Sequence, residues 1–197
     1  MTSVRHAARI GLVLSGLLAA VQAEAVTAGE VVENARKAEE LSDAGNPVQA
    51  LAAIEAAFNS LWDKAPLGFS EALFVAAKPQ GFGIYDMRPS AVFDPGEDML
   101  VYAEPFGYGY RREGDTFQIA FDADFELRNT GGQILHAQSD FAELDMQSRR
   151  RNKEFQIFIT YNFKGLKPGD YILSTTLRDR NSPKTGSFDL PFTVAAE

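Results

Sequence analysis

Residues 117–128 have the sequence FQIAFDADFELR. The apolar side chains of Phe121 and Phe125 alternate there with the charged side chains of Asp122 and Asp124. This period of two is typical of a β-strand that has one face against a core and the other in water. The stretch therefore predicts a long strand in an antiparallel sheet.

Other stretches alternate in the same way and extend the β region to the C-terminus. They lie at residues 155–163, 171–177 and 188–194, with shorter candidates at 83–87, 99–104 and 133–138. Turn-forming sequences separate them, such as Asp-Pro-Gly at 94–96 and Pro-Gly-Asp at 168–170. About seven strands with no long helix between them predict a mainly β fold, with an antiparallel β-sandwich over residues 79–197.

The region before the strands has a helical pattern instead. Val31, Ala35, Ala38 and Leu41 recur at helical spacing between charged residues, which predicts an amphipathic helix over residues 29–45.

A second helix is predicted to begin at Pro47, with Asn46 as its N-cap, and to end before Pro66. Its apolar stripe is formed by Leu51, Ile54, Phe58, Leu61 and Trp62, and alanines at 50, 52, 53, 56 and 57 allow a neighbouring helix to approach closely. The two helices are therefore predicted to form an N-terminal α-helical hairpin ahead of the sandwich, within residues 24–78.

Residues 70–78 fit either of two structures. They could continue as a third short helix capped by Ser70, or they could begin the β region.

Residues 1–23 have the layout of a secretory signal peptide. Arg5 and Arg9 precede an apolar run over 10–21, and small or branched residues precede a cleavage position after Ala23, or alternatively after Ala25. The apolar run is too short to span a bilayer, for which about 20 residues are needed. We expect a periplasmic or secreted product with no integral membrane segment after cleavage, and a formal charge that changes from −8 to −10 because two arginines and no acids are removed.

Two parts of the chain resemble known families. The sequence LKPGDY at 166–171, followed by the last two strand candidates, resembles the C-terminal half of immunoglobulin-like and fibronectin-like domains of exported bacterial proteins. That resemblance implies that Tyr171 places its ring in the core and its hydroxyl on a nearby backbone group. Residues 43–57 resemble the turn and second helix of a single tetratricopeptide-type hairpin, which cannot bury both its faces and is expected to lean on another part of the protein.

Composition excludes several classes of activity. The chain has no cysteine, which excludes disulfides, thiolate metal sites and a lipoprotein anchor. The formal charge of −8 argues against non-specific binding to nucleic acid. After cleavage His136 is the single histidine, so no histidine pair for a metal and no Ser-His-Asp triad is available without it. We predict no catalytic residue, metal or cofactor.

One candidate binding segment combines aromatic rings, glycines and arginines. Residues 104–112 have the sequence EPFGYGYRR, with Phe106, Tyr108 and Tyr110 ahead of Arg111 and Arg112. Such a composition suits either a loop that stacks on sugars or grips acidic groups, or a hairpin whose rings cover an edge of the sandwich.

The second candidate is the basic cluster Arg149, Arg150 and Arg151, followed by Lys153. It could meet an anionic partner or surface, or it could neutralise the upstream acids Asp140, Glu143 and Asp145.

The acids of the 117–128 strand also have two interpretations. Asp122, Asp124 and Glu126 share one strand face, close enough for a carboxylate pair of the kind that glycosidases use. Because Arg178 and Arg180 alternate in the same way on another strand, cross-strand ion pairing is the better interpretation.

These patterns favour a non-enzymatic binding or scaffolding protein of the periplasm. Its ligand or envelope protein partner would be contacted by loops of the sandwich, with the helices offering a docking groove. The alternative is a protein that binds or cleaves cell-wall carbohydrate through the aromatic loop at 106–112.

Overall fold

A computed structural model describes residues 29–196. The predicted signal peptide lies outside the described residues. The helical hairpin is confirmed, with α1 at Glu30–Asp43 and α2 at Pro47–Lys64. Gly45, at a φ of 74°, makes the turn between them. Pro47 occupies the first turn of α2 as predicted, but the Asn46 side chain makes no capping hydrogen bond.

The described residues contain nine strands, of which seven have five residues or more. The strands are β1 (Gly68–Phe74), β2 (Val92–Phe93), β3 (Met99–Phe106), β4 (Arg111–Glu113), β5 (Thr116–Asn129), β6 (Ile134–Ser148), β7 (Ile157–Tyr161), β8 (Gly169–Asp179) and β9 (Thr185–Val194). The predicted mainly β fold with a preceding helical hairpin is therefore confirmed.

The structure decides one open alternative and corrects one strand prediction. Of the two structures that fit residues 70–78, the β structure is the one formed, because residues 70–74 belong to β1, which pairs with β3. Residues 83–87 do not form a strand, and make only isolated bridges through Ile84 and Met87.

The strands form two sheets around one core. One sheet has the order β1-β3-β7, and the other has the order β2-β9-β8-β5, with β4 and β6 both paired to β5. Every pairing is antiparallel except that of β2 with β9. The arrangement of β9, β8 and β5 side by side, opposite a sheet of earlier strands and β7, is that of an immunoglobulin-like sandwich.

The alternation in β5 matches its place in the larger sheet, where one face of the strand is turned towards the core and the other away from it. Phe121, Ala123 and Leu127 are almost completely buried. They join a core that includes Val101 of β3 and Ile157 of β7. The side chains between them on β5 point to the other face, which is the outer face of the larger sheet.

Tyr171 lies at the start of β8, as the family resemblance implies. Its ring is buried and stacks at 5.5 Å on Phe192. Its hydroxyl donates a hydrogen bond to the carbonyl oxygen of Lys167 at 2.7 Å, so the buried phenol has a partner.

The hairpin is attached to one end of the sandwich through Trp62. The indole Nε1 donates to the carbonyl oxygen of Tyr108 at 2.9 Å, and the two rings meet edge to face at 5.0 Å. Lys184 extends the attachment by donating to the carbonyl oxygens of Asp63 and Gly107. Position 107 requires glycine, because a Cβ there would lie 2.2 Å from the carbonyl oxygen of Pro66 and φ is 77°.

The face of α2 that is buried is not the face that carries most of its large apolar residues. Ala50, Ala53 and Ala57 are buried, and they lie on one side of the helix, where they pack in the hairpin with α1. Of the predicted stripe, only Trp62 is buried. The other four side chains are about half exposed or more: Leu51 (68%), Ile54 (46%), Phe58 (49%) and Leu61 (53%).

Candidate binding surface at the junction of hairpin and sandwich

The two predicted binding segments lie together in the structure. Tyr108 and Tyr110 both donate their hydroxyl hydrogens to the carbonyl oxygen of Asn152, at 2.9 and 2.7 Å. Asn152 follows the arginine cluster directly, so a single carbonyl oxygen joins the aromatic loop to the basic segment. The sequence contains no signal for this contact, because the two segments are separated by the whole of the β5–β6 hairpin.

Tyr108 is not exposed to a ligand. Its ring is fully buried between Trp62, Phe121 and Phe155, which removes it from the set of candidate binding residues. Burial raises the pKa of Tyr108, and it raises the pKa of Tyr110 to about 12. Both hydroxyls therefore stay protonated at neutral pH and act as structural donors.

Arg151 links the helices to the sandwich. Its guanidinium lies 4.5 Å from the ring centre of Tyr110, and it forms an ion pair with Asp63 of α2. Arg151 therefore covers one face of the Tyr110 ring, and the half-buried Tyr110 also lines a cleft with Arg112 and Phe117.

The remaining residues of the aromatic loop also have partners. Arg111 forms an ion pair with Glu113 at 2.8 Å, and Arg112 donates to the carbonyl oxygen of Gly114. The ring of Phe106 lies against Gly68, where an added Cβ would come within 2.5 Å of it. The prediction of a binding role for Phe106, Arg111 and Arg112 stays a prediction.

Arg149, Arg150 and Lys153 differ from Arg151, because none of them has an ion pair among residues 29–196. The alternative in which the upstream acids neutralise the cluster is wrong: Asp140 and Glu143 pair with arginines of β8 and its following turn, and Asp145 has no ion pair among residues 29–196. We call Arg149, Arg150 and Lys153 the basic rim.

An open cleft of about 540 Å³ lies between the basic rim and α2. Glu55 is the one residue of α2 that lines it, and residues 148–154 form the rest. The ammonium group of Lys153 lies 5.1 Å from the ring centre of Phe58 and 5.9 Å from that of Trp62. Burial lowers the pKa of Lys153, against the opposing attraction of Glu55 and Asp63, and the neighbouring Arg151 acts in the same direction as burial.

The exposed side chains Leu51, Ile54, Phe58 and Leu61 continue this surface along the helix. We call them the α2 stripe. Sequence reasoning identified the stripe but did not place it in solvent. A signal was present, since α2 carries both an alanine face and a face of large apolar residues, and α1 can cover only one of them.

Two of the three acids on this face of β5, Asp122 and Asp124, lie against arginines as expected, whereas Glu126 has no ion pair among residues 29–196. Arg178 donates to both carboxylate oxygens of Asp124 at 2.9 and 3.1 Å, lies 3.8 Å from Asp122, and pairs with Asp140. Arg180 pairs with Glu143 at 3.2 Å. We call these residues the sheet cluster.

His136 lies on β6, with its ring 5.3 Å from that of Phe125. Within the described part of the chain, no three His, Cys, Asp or Glu residues are grouped so that they could hold a metal ion.

Comparisons with known proteins leave the family open. No family model matches the chain, and no curated protein matches it in sequence. A sporulation control protein of Bacillus subtilis aligns with 68% of this chain and 51% of its own length, at 11% identity and a TM-score of 0.35. The Pseudomonas fluorescens alkylpurine DNA glycosylase AlkC, solved with DNA, aligns with 77% of this chain and 39% of its own length, at 10% identity and a TM-score of 0.35.

A CARDB domain from Pyrococcus furiosus, solved with di-metal ions, aligns with 68% of this chain and 96% of its own length, at 10% identity and a TM-score of 0.29. Neither α1 nor α2 is long and apolar enough to cross a bilayer.

Proposed function

We propose that this chain is an exported, non-enzymatic binding or scaffolding protein of the cell envelope. Its docking surface consists of the α2 stripe and the basic rim, and its partner is another envelope protein. Export is supported by the signal-peptide pattern at residues 1–23.

The observation that carries this proposal is the exposure of the α2 stripe. Four large apolar side chains in a row on one helix face are unusual on a protein surface, and such patches mark sites of interaction. Aromatic and aliphatic anchors of this kind supply most of the binding free energy at protein interfaces.

Rigidity of the junction adds support. Trp62 is buried against Tyr108 and hydrogen-bonded to its carbonyl oxygen, so α2 is already held in place on the sandwich. A preorganised surface loses less conformational entropy when it binds, and more of its contact energy is then available for affinity.

The carbohydrate alternative has less support. It required exposed rings in the loop at 106–112, but Tyr108 is buried and one face of Tyr110 is covered by Arg151, so Phe106 is the one ring of the loop with substantial exposure, at 37%. Its catalytic form required a pair of free carboxylates on β5, but Asp124 is held by two hydrogen bonds from Arg178 and Asp122 lies 3.8 Å from the same arginine, which leaves Glu126 without a second free acid beside it on that strand.

Affinity capture with a matched control tests the proposal. The chain from residue 24 would be immobilised and exposed to periplasmic extract, beside the double variants Ile54→Ser/Phe58→Ser and Ile84→Ser/Met87→Ser. Ile84 and Met87 are exposed apolar residues outside the hairpin, which makes the second variant a control for general stickiness.

We expect a stoichiometric partner on the wild type and on the Ile84/Met87 variant, and its loss from the Ile54/Phe58 variant. Equal capture by both variants would contradict the assigned surface. Retention on peptidoglycan without a protein partner would favour the carbohydrate alternative.

A further inference from the structure

The spacing of the α2 stripe indicates the shape of what binds there. Leu51, Ile54, Phe58 and Leu61 follow one another at intervals of three, four and three residues. This is the a/d spacing of a helix that packs lengthwise on another helix. The stripe extends over about 15 Å at a rise of 1.5 Å per residue, and its four residues supply the a and d positions of two successive heptads.

The two sides of the stripe are already occupied. One side is the alanine face that packs in the hairpin, and the other side carries Trp62 and Asp63, which contact the sandwich. The exposed apolar surface is therefore a narrow seam between α1 and the basic rim, which suits one helix better than a broad, flat surface.

The charge beside the seam indicates the sign of its occupant. Lys153 lies over Phe58, and Arg149 and Arg150 line the same cleft beside α2. The cleft is lined by four cations, Arg151 included, against the two acids Glu55 and Glu154. Carboxylates of a bound segment would meet cations that have no ion pair within residues 29–196.

We propose that the α2 stripe and basic rim bind an acidic amphipathic helix of a partner protein. Its apolar a/d residues pack on the stripe, and its flanking Glu or Asp side chains meet Arg149, Arg150 and Lys153. This inference rests on the proposed function and adds the chemistry of the partner.

Two other occupants fit the charges less well. A second copy packed through α2 would bring Glu55 and Asp63 as its acids on that helix, and Asp63 is already paired with Arg151. An anionic bilayer would attract the rim but repel the exported chain, whose formal charge after the predicted cleavage is −10.

Three synthetic peptides test the inference. Each has about two heptads with Leu at a and d. The first carries Glu at the e and g positions, the second carries Lys there, and the third carries Glu with a central Pro that prevents a helix. The reporter is the fluorescence of Trp62, the single tryptophan of the chain, whose ring meets that of Phe58 at 5.8 Å.

Two charge-reversal variants complete the design. Arg149→Glu/Arg150→Glu alters the basic rim, and Arg36→Glu/Lys37→Glu makes the same change on exposed residues of α1. Circular dichroism establishes that both variants are folded. Binding to anionic vesicles tests the bilayer as an occupant. Sedimentation of the chain alone tests whether a second copy binds.

We expect the Glu peptide to bind about tenfold or more tightly than the Lys peptide at low salt, with the difference shrinking as salt is added. The Arg149/Arg150 variant loses that preference, and the Arg36/Lys37 variant keeps it. The Pro peptide does not bind.

Equal binding of the Glu and Lys peptides would overturn the assigned charge. If the chain binds vesicles but no peptide, the occupant is not a partner helix. The same conclusion follows if the chain forms a stable dimer that Phe58→Ser dissociates. If no peptide binds while the envelope partner is still captured through Ile54 and Phe58, this inference fails and the proposed function stands. Loss of that capture as well would overturn both.

Discussion

The sheet cluster and the basic rim contain the same kind of residue in opposite situations. Arg178 of the sheet cluster faces Asp122, Asp124 and Asp140. Arg149 of the basic rim has no acid within ion-pair distance among residues 29–196. Cations with partners stabilise the fold, whereas cations without them are available to a ligand.

The backbone explains this difference. Asp124 lies opposite Thr176 in the β5–β8 register, next to the pair formed by Asp122 and Arg178, so regular pairing brings acids and arginines together. The basic rim follows the last residue of β6, in a segment without strand pairing. No sheet register therefore assigns it a partner.

The largest expected effect comes from removing Trp62, which attaches α2 to the sandwich beside the basic rim. Trp62→Ala deletes a buried ring and the hydrogen bond to Tyr108, and should lower the free energy of unfolding by about 3–5 kcal/mol. Urea unfolding followed by circular dichroism measures it. Trp62→Phe keeps most of the apolar contact and should cost clearly less. A loss below about 1 kcal/mol for Trp62→Ala would show that the junction does not depend on this residue.

The second prediction concerns the sheet cluster. Arg178→Ala leaves Asp122, Asp124 and Asp140 close together without their shared cation, so the melting temperature should fall at neutral pH. Arg178→Lys keeps the charge but loses the two-point hydrogen bonding to Asp124, and should give an intermediate value. An unchanged melting temperature for Arg178→Ala would mean that the pairing contributes nothing to stability.

The third prediction is a pH dependence of the same contact. Hydrogen bonds from Arg178 hold the pKa of Asp124 below its usual range, against the opposing effect of burial. A depressed carboxyl pKa contributes stability above the unfolded pKa, near 4, and that contribution is lost as the pH falls through the folded value. The difference in melting temperature between wild type and Arg178→Ala should therefore be constant from about pH 5 to 7 and shrink below about pH 4. A difference that grows in acid would contradict the assignment.

The smallest effect is expected at the basic rim. Arg149→Gln/Arg150→Gln removes two exposed cations that have no ion pair in the described part of the chain, so the free energy of unfolding should change by less than about 0.5 kcal/mol. The same urea titration measures it. If this variant loses as much stability as Arg178→Ala in the same measurement, the basic rim stabilises the fold. The contrast between the two clusters would then disappear.

Much of the fold could be predicted from local patterns. The alternation in 117–128 identified β5 and its buried face, and helical spacing with Gly45 and Pro47 identified both helices and the turn between them. The segment LKPGDY identified the role of Tyr171. These features depend on neighbours in sequence, which is why a single sequence contains them.

The binding surface could be predicted only in pieces. The basic cluster and the aromatic loop were both identified, but Tyr108 and Arg151 serve the junction, and the sequence shows no difference between Arg151 and Arg150. The two residues are both arginines, so their type does not indicate which of them pairs with Asp63. That aspartate lies on a helix 88 positions before Arg151.

The sequence by itself determined the elements, the two faces of β5 and the charge pairs that alternate along neighbouring strands, because each follows from the periodicity of the backbone. The tertiary structure decided which apolar face of α2 is covered. Ala50, Ala53 and Ala57 allow α1 to approach closely, and Trp62 fits against Tyr108, so the larger Leu51, Ile54, Phe58 and Leu61 are left in solvent. Which of several apolar faces is buried depends on the shapes packed against them, and those shapes come from distant parts of the chain.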